Sequence, residues 1–180
     1  INNGNPEPRV YGNYREWHPP VADETYCAGI DVAEGLAYGD FSCMQVLDSQ
    51  GRQVACWHGH IDPWDWGNIC SHIGRRYNNA YLIPERNNHG LTTLRRLQEL
   101  QYPNLFVEHS LDGAYTDSLT KRGGFLTTSK SKPLIINNFA ALLRQGESGI
   151  ADTDLLQELR TYCIDDKGAF NSISGCYDDR

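Results

Sequence analysis

The stretch Thr25–Glu34, TYCAGIDVAE, decides the fold. Five of the six residues before the acid at position 31 are apolar or glycine, and the run is too short for a helix, so it reads as a buried strand over about residues 25–33. An acid inside such a strand is costly unless a cation or a donor compensates it. Asp31 is therefore the first residue to explain. Working outward, FSCMQVLD (41–48), the turn DSQGRQ and VACWHGH (54–60) read as a hairpin. The segment 63–77 carries Trp66, Ile69, Ile73 and Tyr77 at helical spacing, with Pro63 near its start.

Further along, NAYLIPE (79–85) and NLFVEH (104–109) read as short strands. Between them GLTTLRRLQEL places Leu91, Leu94 and Leu97 on one helix face. Residues 110–132 read as a long excursion rich in Gly, Thr, Ser and Lys. A helix follows over PLIINNFAALLRQG, with Ile135, Phe139 and Leu142 inward and Gly146 as its stop. DTDLLQELRTYCID begins as helix and passes into strand, and AFNSI is a last short strand. Residues 1–24, rich in Asn, Gly and Pro, read as a linker or irregular arm, and 25–180 as one domain. The order implies an α/β fold, a mixed sheet with helices packed on its faces.

Composition narrows the function classes. The chain has 180 residues, 39% of them hydrophobic, which is enough for one substantial core. No apolar run approaches the ~20 residues of a membrane helix, and no signal peptide is visible. The net charge of −7 argues against coating nucleic acid by bulk charge, while leaving room for a local basic groove. The six cysteines form no CxxC pair, so neither a disulfide scaffold nor a zinc site is expected, and a reducing compartment fits.

Three further acids stand at the ends of core elements. Glu85 closes YLIPE, where Pro84 withdraws a backbone donor and the strand stops. Asp178 and Asp179 follow Gly175 at the start of a terminal helix. Each alone has an ordinary explanation: a loop cap, a solvated strand end, a pair of acids at a helix N-terminus. Together with Asp31 they form a set that strand ends can gather, and clustered carboxylates need hard divalent cations. Asp40, across the glycine-containing loop VAEGLAYG, is placed to return toward Asp31. Two close cations would suit in-line phosphodiester hydrolysis. His58 and His60 share a strand face but lack a third ligand, and a surface role is expected for them. His89 reads as a loop histidine. Among the basic residues, the helical pairs Arg75/Arg76 and Arg95/Arg96 read as solvated faces. Lys130 and Lys132, flanked by Ser and Thr, are the better phosphate contacts.

GIDVAEGLAYGDFS, AYLIPERNNHG, LQYPNLF, GFLTTSKSKPLI, LLQELRTYCI and GCYDD, in that order, resemble the nuclease domain of tailed-bacteriophage large terminase subunits from about Tyr26 onward. The resemblance implies an RNase H-like mixed β-sheet flanked by helices on both faces. It implies an endonuclease that cleaves concatemeric viral double-stranded DNA during packaging, with two Mg²⁺ or Mn²⁺ ions. By resemblance Asp31, Glu85, Asp178 and Asp179 are the catalytic metal ligands, with Asp179 primary and Asp178 secondary, and Asp40 helps hold the second ion. The implied partners are double-stranded DNA, the terminase ATPase domain of the full-length chain, the portal protein and the small terminase subunit, with no membrane. The implied location is the host cytoplasm, at the procapsid. No GxxxxGK[ST] occurs, so the ATPase motor is not expected in these 180 residues. Alternatives are another RNase H-like polynucleotidyl transferase of resolvase or transposase type, an actin-like ATPase, and a non-catalytic capsid or portal docking module.

Overall fold

The computed structural model describes residues 6–87, 89–108, 123–146, 149–164 and 170–172. Its main sheet has six strands: β1 (Arg9–Tyr11), β2 (Tyr14–Glu16), β3 (Tyr26–Asp31), β4 (Ser42–Asp48), β5 (Gln53–Gly59) and β6 (Tyr81–Pro84), in the spatial order β1-β2-β5-β4-β3-β6. All neighbours are antiparallel except β3 and β6, which run parallel. The parallel pair requires a crossover, supplied by α1 (Pro63–Arg76). After β6 come α2 (Gly90–Glu99), α3 (Ser131–Gln145) and α4 (Thr153–Thr161). A separate antiparallel pair, β7 (Tyr162–Ile164) with β8 (Phe170–Ser172), closes the order.

Alternation along β3 and β4 builds two different faces. Ala28, Ile30, Met44 and Val46 join Trp57, Trp66, Cys70, Ile73 and Tyr77 in the main core under α1. The α1 helix forms because Trp66, Cys70, Ile73 and Tyr77 recur at i, i+4, i+7 and i+11 and are buried. It starts where the Asp62 side chain accepts from the N–H groups of Trp64 and Asp65, with Pro63 in the first turn. Burying a side chain of this size contributes about 1.5–3 kcal/mol. On the opposite face, Cys43 and Cys56 pack with Trp17, while Gln45 and Leu47 line a cavity of about 380 Å³ beneath α3 and α4. Gln53 ties α4 to the sheet, its Oε1 accepting from the N–H groups of Ala151 and Asp152 at 2.8 and 2.7 Å. The described cysteines are free thiols. Among the described residues no helix is long and apolar enough to cross a membrane.

Several local expectations change. Residues 9–16 form a hairpin paired to β5 rather than an irregular arm. Glu16 fixes it there: it is buried, and Arg76 donates to its Oε2 at 2.7 Å. Of the expected strand 104–109, the described residues 104–108 do not form a continuous strand. Leu105 bridges Leu82 and Val107 bridges Gly123, but Pro84 has no N–H to extend the β6 ladder on that side. In α2 the buried set is Gly90, Thr93, Leu94 and Leu97, whereas Leu91 is exposed. A spacing of three drifts about 60° per step around a helix, so Leu91 leaves the face that Leu94 and Leu97 share. In α3, Ile135 and Leu142 are exposed, while Ile136 and Phe139 line the cavity. Phe139 thus faces inward as expected, and Ile136, about 100° round the helix from Ile135, takes the place expected for that residue. Gly146 ends α3 as expected, in the left-handed conformation with φ 72°.

Candidate active site

Asp31 is the last residue of β3, and Glu85 follows β6 directly. In the parallel pair Ile30 is opposite Pro84, and the Glu85 N–H donates to the Ile30 carbonyl at 2.8 Å. Continuing that register one residue puts Asp31 beside Glu85. Ile30 lies in the core under α1 and its partner Pro84 is fully buried, so alternation turns Asp31 and Glu85 to the other face, where both are half-buried. Antiparallel pairing extends the row outward: Asp31 is opposite Cys43, and Cys43 is opposite His58. Glu85 in turn bridges Phe125.

The backbone beneath the pair is fixed. Trp66, fully buried against Trp57, donates its indole N–H to the Asp31 carbonyl at 3.0 Å. The Val32 N–H donates to Asp31 Oδ1 at 2.8 Å. The loop after Glu85 is held by Asn87, which donates to the Val32 carbonyl at 3.0 Å and accepts from the Gly90 N–H at 2.7 Å. A Cβ at Gly90 would collide with the Glu85 carbonyl oxygen, so only glycine lets α2 start this close. His89 Nε2 lies 3.4 Å from Glu34 Oε1, a second link between the loops after β3 and β6. Asn87, the bond from Trp66 to Asp31 and the Glu34–His89 link escaped the sequence reading. The one available signal was Asn87 three residues before Gly90, the spacing of a side chain that caps a helix start.

Asp40 is exposed and lies at the end of the β3–β4 loop. The loop does fold back, since Ser42 Oγ accepts from the Ala33 N–H at 3.0 Å. Asp178 and Asp179 lie outside the described residues. Among the described residues there is no group of three or more His, Cys, Asp and Glu side chains that could hold a metal ion. The described part of the site is therefore a two-carboxylate pair, of hard oxygen ligands suited to Mg²⁺ or Mn²⁺.

His58 and His60 are not surface residues as expected: both are half-buried and pack on Phe41, with ring centroids 4.6 and 4.0 Å away. Of the two helical pairs, Arg75, Arg76 and Arg96 are engaged within the chain. Arg75 donates to the carbonyls of Leu100 and Gln101, Arg76 pairs with Glu16, and Arg96 donates to Asn68 and stacks over Trp64. Arg95 pairs with Glu99. Lys130 is exposed and directly precedes α3. Lys132 sits in the first turn of α3 rather than in a loop, its ammonium 6.0 Å from the centre of the Tyr162 ring. The segment that leads into them begins at Phe125, which is bonded beside Glu85: the Phe125 N–H donates to the Pro84 carbonyl and the Arg86 N–H to the Phe125 carbonyl.

Known structures share this arrangement of strands and helices. The large terminase nuclease of thermophilic phage G20c with bound cobalt superposes with a TM-score of 0.74 at 18% identity, over 97% of this chain and 85% of that one. The chain has the fold of a phage large terminase nuclease domain. The magnesium-bound G20c nuclease gives a TM-score of 0.72 at 19% identity over 97% of this chain and 85% of that one. The large terminase nuclease domain of Thermus phage P74-26 gives 0.67 at 21% over 97% and 83%. No protein-family model and no curated protein matches the chain. The mixed sheet flanked by helices is thus the fold of these terminase nucleases, matched over 97% of this chain.

Proposed function

We propose that this chain is a metal-dependent endonuclease that cleaves concatemeric viral double-stranded DNA during genome packaging. The observation that carries the proposal is the placement of Asp31 and Glu85 side by side at the ends of the parallel strands β3 and β6, on a fold shared with large terminase nucleases. The G20c nuclease with bound magnesium and the one with bound cobalt support a divalent cation here.

Asp31 and Glu85 would hold the cations from one side, with Asp178 and Asp179 completing the set and Asp40 supporting the second position. Two Mg²⁺ or Mn²⁺ ions, when bound, stabilise charge on the attacking and leaving oxygens of an in-line displacement. The chain contributes a rigid floor: Trp66 holds the Asp31 backbone and Val32 orients its carboxylate. Lys130 and Lys132 would contact backbone phosphates, fixing the duplex without reading its sequence. The further partners are the ATPase domain of the full-length chain, the portal protein and the small terminase subunit, at the procapsid in the host cytoplasm.

The test compares linear duplex with a four-way junction, each with Mn²⁺ or with chelator. Metal-dependent cleavage of linear duplex is the expected result. Cleavage confined to the junction would move the assignment to a resolvase-type enzyme, and no cleavage of either would leave a docking module.

A further inference from the structure

The two candidate carboxylates stand at the ends of the parallel strands β3 and β6, where two loops leave the sheet in the same direction, and the chemistry depends on their separation. We infer that Asn87 is a positioning residue that sets the spacing of Asp31 and Glu85, and thereby the affinity of the site for a divalent cation; this rests on the metal-dependent nuclease reading above.

The geometry runs as one chain of bonds. Asp31 Oδ1 accepts from the Val32 N–H at 2.8 Å, and the Val32 carbonyl accepts from Asn87 Nδ2 at 3.0 Å. Asn87 Oδ1 accepts from the Gly90 N–H at 2.7 Å, and the α carbon of Gly90 packs against the Glu85 carbonyl oxygen. Val32 is therefore held at both its N–H and its carbonyl, by the Asp31 carboxylate and by the Asn87 amide. Val32 is 1% exposed, so water is a poor replacement for the amide at its carbonyl. His89, at the cap position of α2, makes no side-chain cap bond, so Asn87 is the residue that closes this helix start.

The amide side chain of Asn87 does both jobs. It donates to a carbonyl and accepts from an N–H at once, whereas a carboxylate only accepts. Asn87→Asp therefore keeps an acceptor for Gly90 but loses the link to Val32. It also adds a negative charge near two carboxylates, which by charge alone would attract a cation more strongly. Positioning and bulk charge thus predict opposite signs for the same variant.

The experiment is calorimetric titration of the full chain with Mn²⁺ for wild type, Asn87→Asp and Asn87→Ala, with thermal unfolding in metal-free buffer alongside. Partners that orient a metal ligand typically change metal affinity about 10–100-fold when removed. The expected result is a Kd weakened by about that factor in both variants, with cooperative unfolding kept in Asn87→Asp. Unchanged or tighter binding by Asn87→Asp overturns the inference while leaving the nuclease reading standing. Absence of Mn²⁺ binding by wild type overturns that reading, and this inference with it.

Discussion

The N–H of Glu85 donates to the carbonyl of Ile30 at 2.8 Å, one residue beyond the last paired position of β6. This single bond carries the parallel register past Pro84 and sets Glu85 next to Asp31. Two acids far apart in sequence become neighbours because α1 crosses over and returns the chain parallel to β3.

Glu85→Gln keeps the size and the backbone bond but replaces a charged ligand by a neutral amide, a poorer partner for a hard cation. We expect the Mn²⁺ Kd measured by calorimetry to rise about tenfold or more, equivalent to about 1.4 kcal/mol. An unchanged affinity together with unchanged cleavage returns Glu85 to an ordinary strand-end acid.

The strand framework was legible because β3, β4 and β5 are predominantly apolar runs with clear turns, and because Pro63 and Gly146 punctuate their helices as glycine and proline usually do. The edges were not. The β1–β2 hairpin has an exposed first strand and is held by the buried Glu16 carboxylate and its exposed partner Arg76, a long-range contact that no local pattern reports. Asp31 and Glu85 were legible as acids ending apolar runs. Asn87 was not, because its importance lies in a bond to Val32, 55 residues away. His58 was read as a surface residue because alternation gives a face but not what covers it, here Phe41.

Lys130→Ala combined with Lys132→Ala removes the cations that stand beyond the segment bonded beside Glu85. Duplex affinity measured across a salt series should fall, and each lost phosphate contact should flatten the log–log slope by about 0.9. Mn²⁺ affinity should stay as in wild type. A slope identical to wild type excludes these lysines from the DNA interface.

Asp48 closes the β4–β5 turn. Burial pushes its pKa up, but hydrogen bonds from the Arg52 N–H, the Arg52 guanidinium and the Gln50 N–H outweigh this and hold it below the usual carboxylate value. A carboxyl group depressed on folding stabilises the protein above its unfolded pKa, about 3.9, and loses that contribution as pH falls through the lower folded value. Asp48→Asn should cost about 1–2 kcal/mol at pH 7 in denaturant unfolding. It should cost less and less below about pH 4. A penalty independent of pH contradicts the assignment.

Asp178 and Asp179 are adjacent, and adjacent helical residues point about 100° apart. They cannot then serve one ion equally if that segment is a regular helix. Asp179→Asn should abolish cleavage at every Mn²⁺ concentration, whereas Asp178→Asn should recover partly with excess Mn²⁺. The opposite pattern exchanges their roles, and full activity in both removes the terminal pair from the site.

The central claim is that Asp31 anchors a metal-dependent nuclease site. The most direct measurement is conversion of supercoiled plasmid by wild type and by Asp31→Asn, each with Mn²⁺ and with chelator, on samples matched by their thermal unfolding. We expect wild type to nick and linearise the plasmid only with Mn²⁺, and Asp31→Asn to be slower by at least about 100-fold, since a ligand should matter no less than the partners that orient it. Its unfolding temperature in metal-free buffer should be equal or higher, because one charge leaves a group of like charges. Cleavage by a pure Asp31→Asn sample at the wild-type rate would contradict the claim.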